Sequence, residues 1–326
     1  MSQVAAGQAD VLESDALAAG GQVEGRTPWQ LFFRRFRQDK FAIAGIVFLV
    51  LMGVLALAAP FIANTLVGHG PNEVFIRETL NELGLPVGPN SEFFFGADTA
   101  GRDMFIRTIY GARTSLVVAL LATGLALVIG VTVGMMAGFY RGKVDTALMR
   151  VADVVLALPV LLLALGLVSA CGLSKSGCLG GIIKPGLPLV SYVIGFFTWP
   201  YIARIVRGQV FSLREKEFVE ASRAQGASNF RIMTREVLPN VVAPIIVYTT
   251  LIIPNNILFE AALTFLGVGV PPTVPSWGRM LSEASGIFTA AWRMMVFPGL
   301  FLFMTTFAFN LTGDGLRDAL DPKTAR

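Results

Sequence analysis

Apolar residues along this chain gather into long unbroken runs, with few of the short alternations expected of half-buried strands. Six runs stand out, at about 41–63, 115–139, 151–171, 187–206, 241–265 and 292–312. Each is near the roughly 20 residues that a helix needs to cross a hydrocarbon core. The third contains Pro159, the fourth Pro200, and the fifth Pro244 and Pro254. Proline inside a soluble helix would break it, but membrane helices tolerate it where neighbours satisfy the freed backbone groups. The pattern predicts an all-α polytopic membrane protein with six transmembrane helices.

Composition agrees and narrows the class. The 326 residues are 54% hydrophobic and only 15% charged, with a mean hydropathy of +0.65. That is too little charge to cover a soluble domain of this size and too little polarity for a disordered chain. The net charge of +4 is small and signals no nucleic-acid partner. The placement of the 26 basic residues is more informative. Five lie in 26–40, three in 140–150, seven in 204–236 and three in 313–326, against eight in the alternate segments. Basic segments face the cytoplasm, so both termini are expected there. Residues 1–25 hold no Lys or Arg and read as a disordered cytoplasmic tail. The segment 26–40 mixes bases with aromatics. It reads either as an interfacial helix or as a basic flank that only sets topology.

Candidate chemistry is sparse. One histidine, His69, and two cysteines exclude a Cys/His zinc cluster, so no metal site is expected. Cys171 and Cys178 fall in an outer loop, where disulfides persist, and are expected to pair; two free thiols are the alternative. Asp98, Arg102, Asp103, Arg107 and Arg113 precede the second span, within an outer segment 64–114, and read as an interfacial elbow helix. In the fifth span, Asn255, Asn256 and Glu260 are costly at membrane depth. They are expected either to line a translocation path or to satisfy a broken helix. Asp153 reads as a cap for the third span. Gly130 and Gly134 have the spacing of close helix approach. No G-x-x-x-x-G-K-[ST] loop is present, and neither H-E-x-x-H nor G-x-S-x-G occurs. A membrane enzyme and a stand-alone transporter built on an internal repeat are both disfavoured.

The segment 204–240 carries the densest basic stretch. Ser212 and Glu215 have capping-box spacing. A first short helix is expected to share Leu213, Phe218, Ala221 and Ala224 on one face and to end at Gly226. Ser228 is expected to cap a second, with Phe230, Met233, Val237 and Leu238 on its apolar side, and Pro239 to mark a break before the fifth span. Two short amphipathic helices hung between spans suit docking into another protein's groove; packing on the bilayer alone is the alternative.

Glu220-Ala221-Ser222, followed by Gly226 and then Glu236-Val237-Leu238-Pro239-Asn240, resembles the EAA loop of ABC importer permeases. Three further stretches add to it: FGADTAGRDMFIRTIYGARTSL (95–116), LTFLGVGVPPTVPSWGRML (263–281) and GDGLRDALDP (313–322). With RRFRQDKFAIAG leading into the first span, they look like the C-type permease of dipeptide, oligopeptide and nickel importers, from about residue 30 to 322. Ser222 replaces the family's Ala, and Glu236 stands where relatives often carry His. The resemblance implies a type I permease fold, with a permease core over 115–322 and a cytoplasmic coupling loop over 208–240. Within that loop Glu220, Ala221, Ser222, Gly226, Leu238 and Pro239 would meet an ATPase. It also implies a B-type permease partner, two ATP-binding subunits that hold ATP and Mg, an extracytoplasmic binding protein, and a bacterial or archaeal cytoplasmic membrane. Di- and oligopeptides are the implied cargo, with nickel- or glutathione-type solutes as the alternative.

Overall fold

The structure, a computed structural model, describes residues 28–172, 178, 181 and 183–320. The expected tail 1–25 and the last two residues of the 313–322 motif lie outside the described residues. A short helix α1 (Pro28–Phe36) occupies the basic segment. Asp39 then caps α2 (Lys40–Phe61), its Oδ1 accepting from the Phe41 and Ala42 amides at 2.9 and 3.1 Å. An aspartate here satisfies orphan N–H groups of the first turn.

Among the described residues, five helical runs are long and apolar enough to cross a membrane, and one bent pair, taken as a single span, raises the number to six. The five are α2 with its continuation to Val67, α3 (Met104–Tyr140), α6 (Leu187–Leu213), the run that ends in α8 (Leu238–Phe265), and α10 (Arg293–Leu320). The pair is α4 (Gly142–Ala157) and α5 (Val160–Gly172), which meet at 84°. The sequence pattern treats 151–171 as one span, and the structure bends that run sharply at Leu158–Pro159. Proline disfavours helical backbone in the residue before it, and Leu158 is extended at φ −80°, ψ 145°. Asp153 therefore lies well inside α4 and caps nothing; it pairs with Arg204 at 2.6 Å.

The expected elbow helix is also corrected. Met104 begins a helix that runs without interruption to Tyr140. At about 1.5 Å per residue this is some 55 Å, far longer than a ~30 Å hydrocarbon core. Its N-cap is Asp103, whose Oδ1 accepts from the Phe105 and Ile106 amides.

The centre of the fold is the close pairing of α3 with α6. Gly130, Gly134 and Gly138 form a period-four stripe against Trp199–Val210. A methyl group on Gly134 would lie 2.6 Å from the Ala203 carbonyl oxygen and 2.8 Å from Val206 Cβ. Small residues let membrane helices approach this closely, and dispersion then replaces the missing hydrophobic drive. Around this pair, α10 packs between α2 and α8. The opposite flank of α2 presents Val47, Val50, Val54 and Leu57, all more than half exposed, as a surface for lipid.

Candidate functional site

The connection between α6 and α8 is built from short pieces. Helix α7 (Glu217–Ala224) follows a turn at Arg214–Lys216, with Lys216 at its N-cap and no side-chain cap. The Ser212–Glu215 capping box does not form, because α6 continues through Ser212 and Leu213 and Glu215 is engaged elsewhere. Gly226 ends α7 in the left-handed region at φ 80°, as its position predicts. Ser228 accepts from the Arg231 amide and caps the next turn. No break precedes α8. The turn Ile232–Val237 instead widens to π-helical bonding, with the Leu238 amide reaching the Met233 carbonyl. The wider ladder comes immediately before Pro239, the position that has no N–H to give.

Val219, Ile232 and Val237 are buried and anchor this connection on the bundle. Glu220, Ala221, Gly226 and Pro239 are exposed, while Ser222 and Leu238 are half-buried. Phe218 and Phe230 also face outward, Phe230 being 73% exposed. The structure thus leaves out much of the apolar surface that the sequence assigns to the two helices, and Leu213 belongs to α6.

Arginines tie the base of this connection to the α3–α4 junction. Arg141 Nη2 lies 2.6 Å from Glu215 Oε1 and donates to the Phe211 carbonyl at 3.3 Å. The same guanidinium stacks 3.9 Å from the Phe211 ring centroid. Arg141 does this from φ 56°, ψ −166°, a backbone region nearly reserved for glycine; such a residue costs on the order of 1–3 kcal/mol. Arg214 donates to the Phe139 carbonyl. Burial first, then the Arg141 and Arg223 charges, lowers the Arg214 pKa. Further along, Arg207 makes a two-pronged pair with Asp145 at 2.5 and 2.6 Å.

A cavity of about 540 Å³ opens between α5, α6 and α8. Thr198, Tyr201, Tyr248, Asn255 and Asn256 give it a polar but uncharged wall, and Phe197 and Phe259 an aromatic one. Tyr201 is 54% exposed and sits near the middle of α6. Phenol and amide groups at that depth face water or protein, since lipid offers no partner. Asn256 braces three helices: Thr198 Oγ1 donates to its Oδ1 at 3.0 Å, and its Nδ2 donates to Thr123 Oγ1 at 2.8 Å. Asn255 is exposed and donates only to the Leu251 carbonyl.

Glu260 lies elsewhere. It is completely buried, accepting from Ser115 at 2.8 Å and from Thr264 at 2.9 Å, and does not line the cavity. It fastens α3 to α8. Of the two readings open for it, structural satisfaction fits the geometry.

At the far end of the bundle, the charges placed on an elbow helix form a buried cluster. Glu283, on α9 (Trp277–Ser285), receives Arg102 at 2.9 Å and Arg107 at 3.2 Å, and Asp98 receives Arg102 at 2.7 Å. Arg113 remains exposed. His69 is buried as well, its Nδ1 2.7 Å from Asp103 Oδ2 and its ring stacked on Phe93. Cys171 and Cys178 are joined by a disulfide, with Cα atoms 5.1 Å apart. Among the described residues, no cluster of three or more His, Cys, Asp or Glu is placed to hold a metal.

The sequence reading missed Arg141, Tyr201, Tyr248 and Glu283. A search for polar-tipped aromatics near mid-span finds the two tyrosines. For Glu283 the local sequence offers only the i,i+4 pair with Arg279 at 3.1 Å; Arg107 and Arg102 lie 176 and 181 residues away.

Comparison with known proteins gives concordant matches. Residues 130–326 match the family described as binding-protein-dependent transport system inner membrane component. Residues 27–80 match the N-terminal TM domain of oligopeptide transport permease C. The glutathione transport system permease protein GsiD of Pectobacterium atrosepticum is 38% identical over 91% of this chain and 92% of its own. The dipeptide transport system permease protein DppC of Alkalihalophilus pseudofirmus is 38% identical over 91% and 90%. In fold, the chain resembles the inward-facing MetNI methionine ABC transporter, with a TM-score of 0.54 and 19% identity over 67% of this chain and 97% of that one.

Proposed function

Because the chain belongs to the binding-protein-dependent inner membrane components, as an ABC importer C-type permease of the oligopeptide branch, we propose that its cargo is a di- or oligopeptide. It is a multi-pass, non-catalytic membrane subunit of the importer. The relative named for dipeptide supports the peptide reading, and the one named for glutathione supports the alternative of a glutathione-type solute. The neutral cavity wall of Thr198, Tyr201, Tyr248 and Asn255 suits peptide groups without selecting one charge. A nickel- or glutathione-type solute is the alternative on the same scaffold.

The remainder of the proposal concerns the machine. The α6–α8 connection faces the cytoplasm, with both termini, and seats in a cleft of an ATP-binding subunit. Glu220, Ala221, Ser222, Gly226, Leu238 and Pro239 form that contact. Two such subunits hold ATP and Mg, a homologous B-type permease completes the membrane pair, and a binding protein delivers solute from outside. Closure of the ATPases drives alternating access through the bundle.

The observation that carries this reading is the exposed surface around α7 and Gly226, held out by buried Val219, Ile232 and Val237. The test is co-purification of the ATP-binding subunits. Gly226→Leu should abolish it. Gly84→Leu meets the same left-handed backbone, φ 71° with open space around it, in the outer segment, and should leave it intact. Equal retention by both variants would remove the docking assignment.

A further inference from the structure

Arg141 occupies a place where glycine would sit without strain. It is in the left-handed region at φ 56°, and the next residue, Gly142, is also at positive φ. Its guanidinium spans the gap between two helix junctions. It reaches Glu215, two residues before α7, and both the carbonyl and the ring of Phe211 in the last turns of α6. Its Nε is buried without a hydrogen-bond partner. An unfavourable backbone and an unsatisfied buried nitrogen persist only where the surroundings hold them. This side chain therefore ties the α3–α4 turn to the root of α7, beside the Arg214 contact with the Phe139 carbonyl. A single exposed ion pair contributes little to stability, so strength of attachment does not explain the residue, whereas position does.

We propose that Arg141 is a positioning residue for energy coupling: it joins the α3–α4 junction to the root of α7, so that displacement of α7 moves α4 and, through it, the wall of the cavity. Arg207–Asp145 and Arg204–Asp153 carry the same displacement along α4. The inference rests on the proposed docking of α7 to an ATPase. It adds a link inside this chain that docking alone does not require.

The test uses the assembled transporter in liposomes and reads solute imported per ATP hydrolysed. Loss of folding lowers both quantities together, whereas loss of the link lowers their ratio. Arg141→Gly removes the side chain and the strain at once. It should raise the unfolding temperature while cutting the ratio about fivefold or more, with the ATP-binding subunits still co-purifying. Arg141→Lys keeps the charge but loses the planar stack on Phe211, and should recover less than half of the ratio. Phe211→Tyr should keep the ratio and Phe211→Leu should lower it, which tests the link without touching residue 141. An unchanged ratio in both Arg141→Gly and Phe211→Leu overturns the proposal. Failure of the ATP-binding subunits to co-purify with the unaltered chain would instead overturn the docking reading beneath it.

Discussion

The glycine stripe between α3 and α6 gives a quantitative test of the fold. In Gly134→Ala the new Cβ would lie 2.8 Å from Val206 Cβ and 2.6 Å from the Ala203 carbonyl oxygen. Carbon atoms rest about 3.5–4.0 Å apart, so the shortfall to Val206 is about 0.7–1.2 Å. One obstacle is backbone and the other a β-carbon, so no rotamer change relieves the clash and the helices must separate. Gly130 and Gly138 make equally close approaches, at 2.6–2.8 Å, along the same seam. Separation at one level therefore weakens all three. Overpacking of this kind costs about 1–3 kcal/mol. Gly→Ala also favours the helix itself by roughly 0.5–1 kcal/mol, which masks part of the loss. Gly124, in the same helix, has nothing within 4 Å of the position of a Cβ, so Gly124→Ala carries the propensity gain alone. The difference between the two variants isolates the packing term. At about 2–4 °C per kcal/mol, Gly134→Ala should unfold roughly 2–12 °C below Gly124→Ala, followed by tryptophan fluorescence in detergent. If Gly134→Ala unfolds at or above Gly124→Ala, the close approach of α3 and α6 is refuted.

Other residues give separate tests. Glu260→Ala removes the acceptor of Ser115 and Thr264. It should lower folded yield in size exclusion, since each buried hydroxyl left unpaired costs about 1–3 kcal/mol. Asn255→Ala should leave folded yield unchanged and alter the import rate; the reverse pattern would exchange their roles. Cys171→Ser should cost about 2–3 kcal/mol for a loop this short, and reductant should produce the same fall in midpoint in the unaltered chain. His69→Phe keeps the aromatic stack on Phe93 but loses the Asp103 contact. It should destabilise by about 1–2 kcal/mol, and Asp103→Ala by more, because the N-cap of α3 is lost as well. Equal effects of these two would separate the cap from the pair.

Much of this architecture is local and was therefore readable. Hydropathy locates the five long spans because each is long enough to cross by itself. Gly226 and Ser228 behave as their types and spacing imply, since caps are decided within one turn. Proline is less legible. Pro159 breaks its span, whereas Pro200, Pro244, Pro254 and Pro298 lie inside continuous helices. A helix wedged among neighbours stays continuous despite the missing bond, and no local sequence feature records that support. Asn255, Asn256 and Glu260 are close in sequence but not equivalent. Positions 256 and 260 are four apart and share the buried face, 256 also reaching the cavity wall, while 255 is turned about 140° from 260 and is exposed in the cavity. Helical phase separates them without a structure, but membership in one span does not. The Arg107–Glu283 pair is out of reach of sequence because its two halves are 176 residues apart, so the charges around Arg107 read as those of an interfacial elbow helix.

The sparse packing of α2 bears on how the protein is made. Its close approach is to the last helix: Gly45 meets Ala308, Leu311 and Thr312 of α10. This span therefore leaves the ribosome well before its main neighbour, which is complete only after some 260 residues of further synthesis. During that interval it stays in the bilayer with much of its surface against lipid. It is also the most apolar of the five long spans and the least enclosed. A less greasy helix in that place would be at risk of slipping back out while it waited. The hydrophobicity of α2 is thus a property of insertion as much as of the finished fold, and polar substitutions along its lipid face should be felt first during biogenesis.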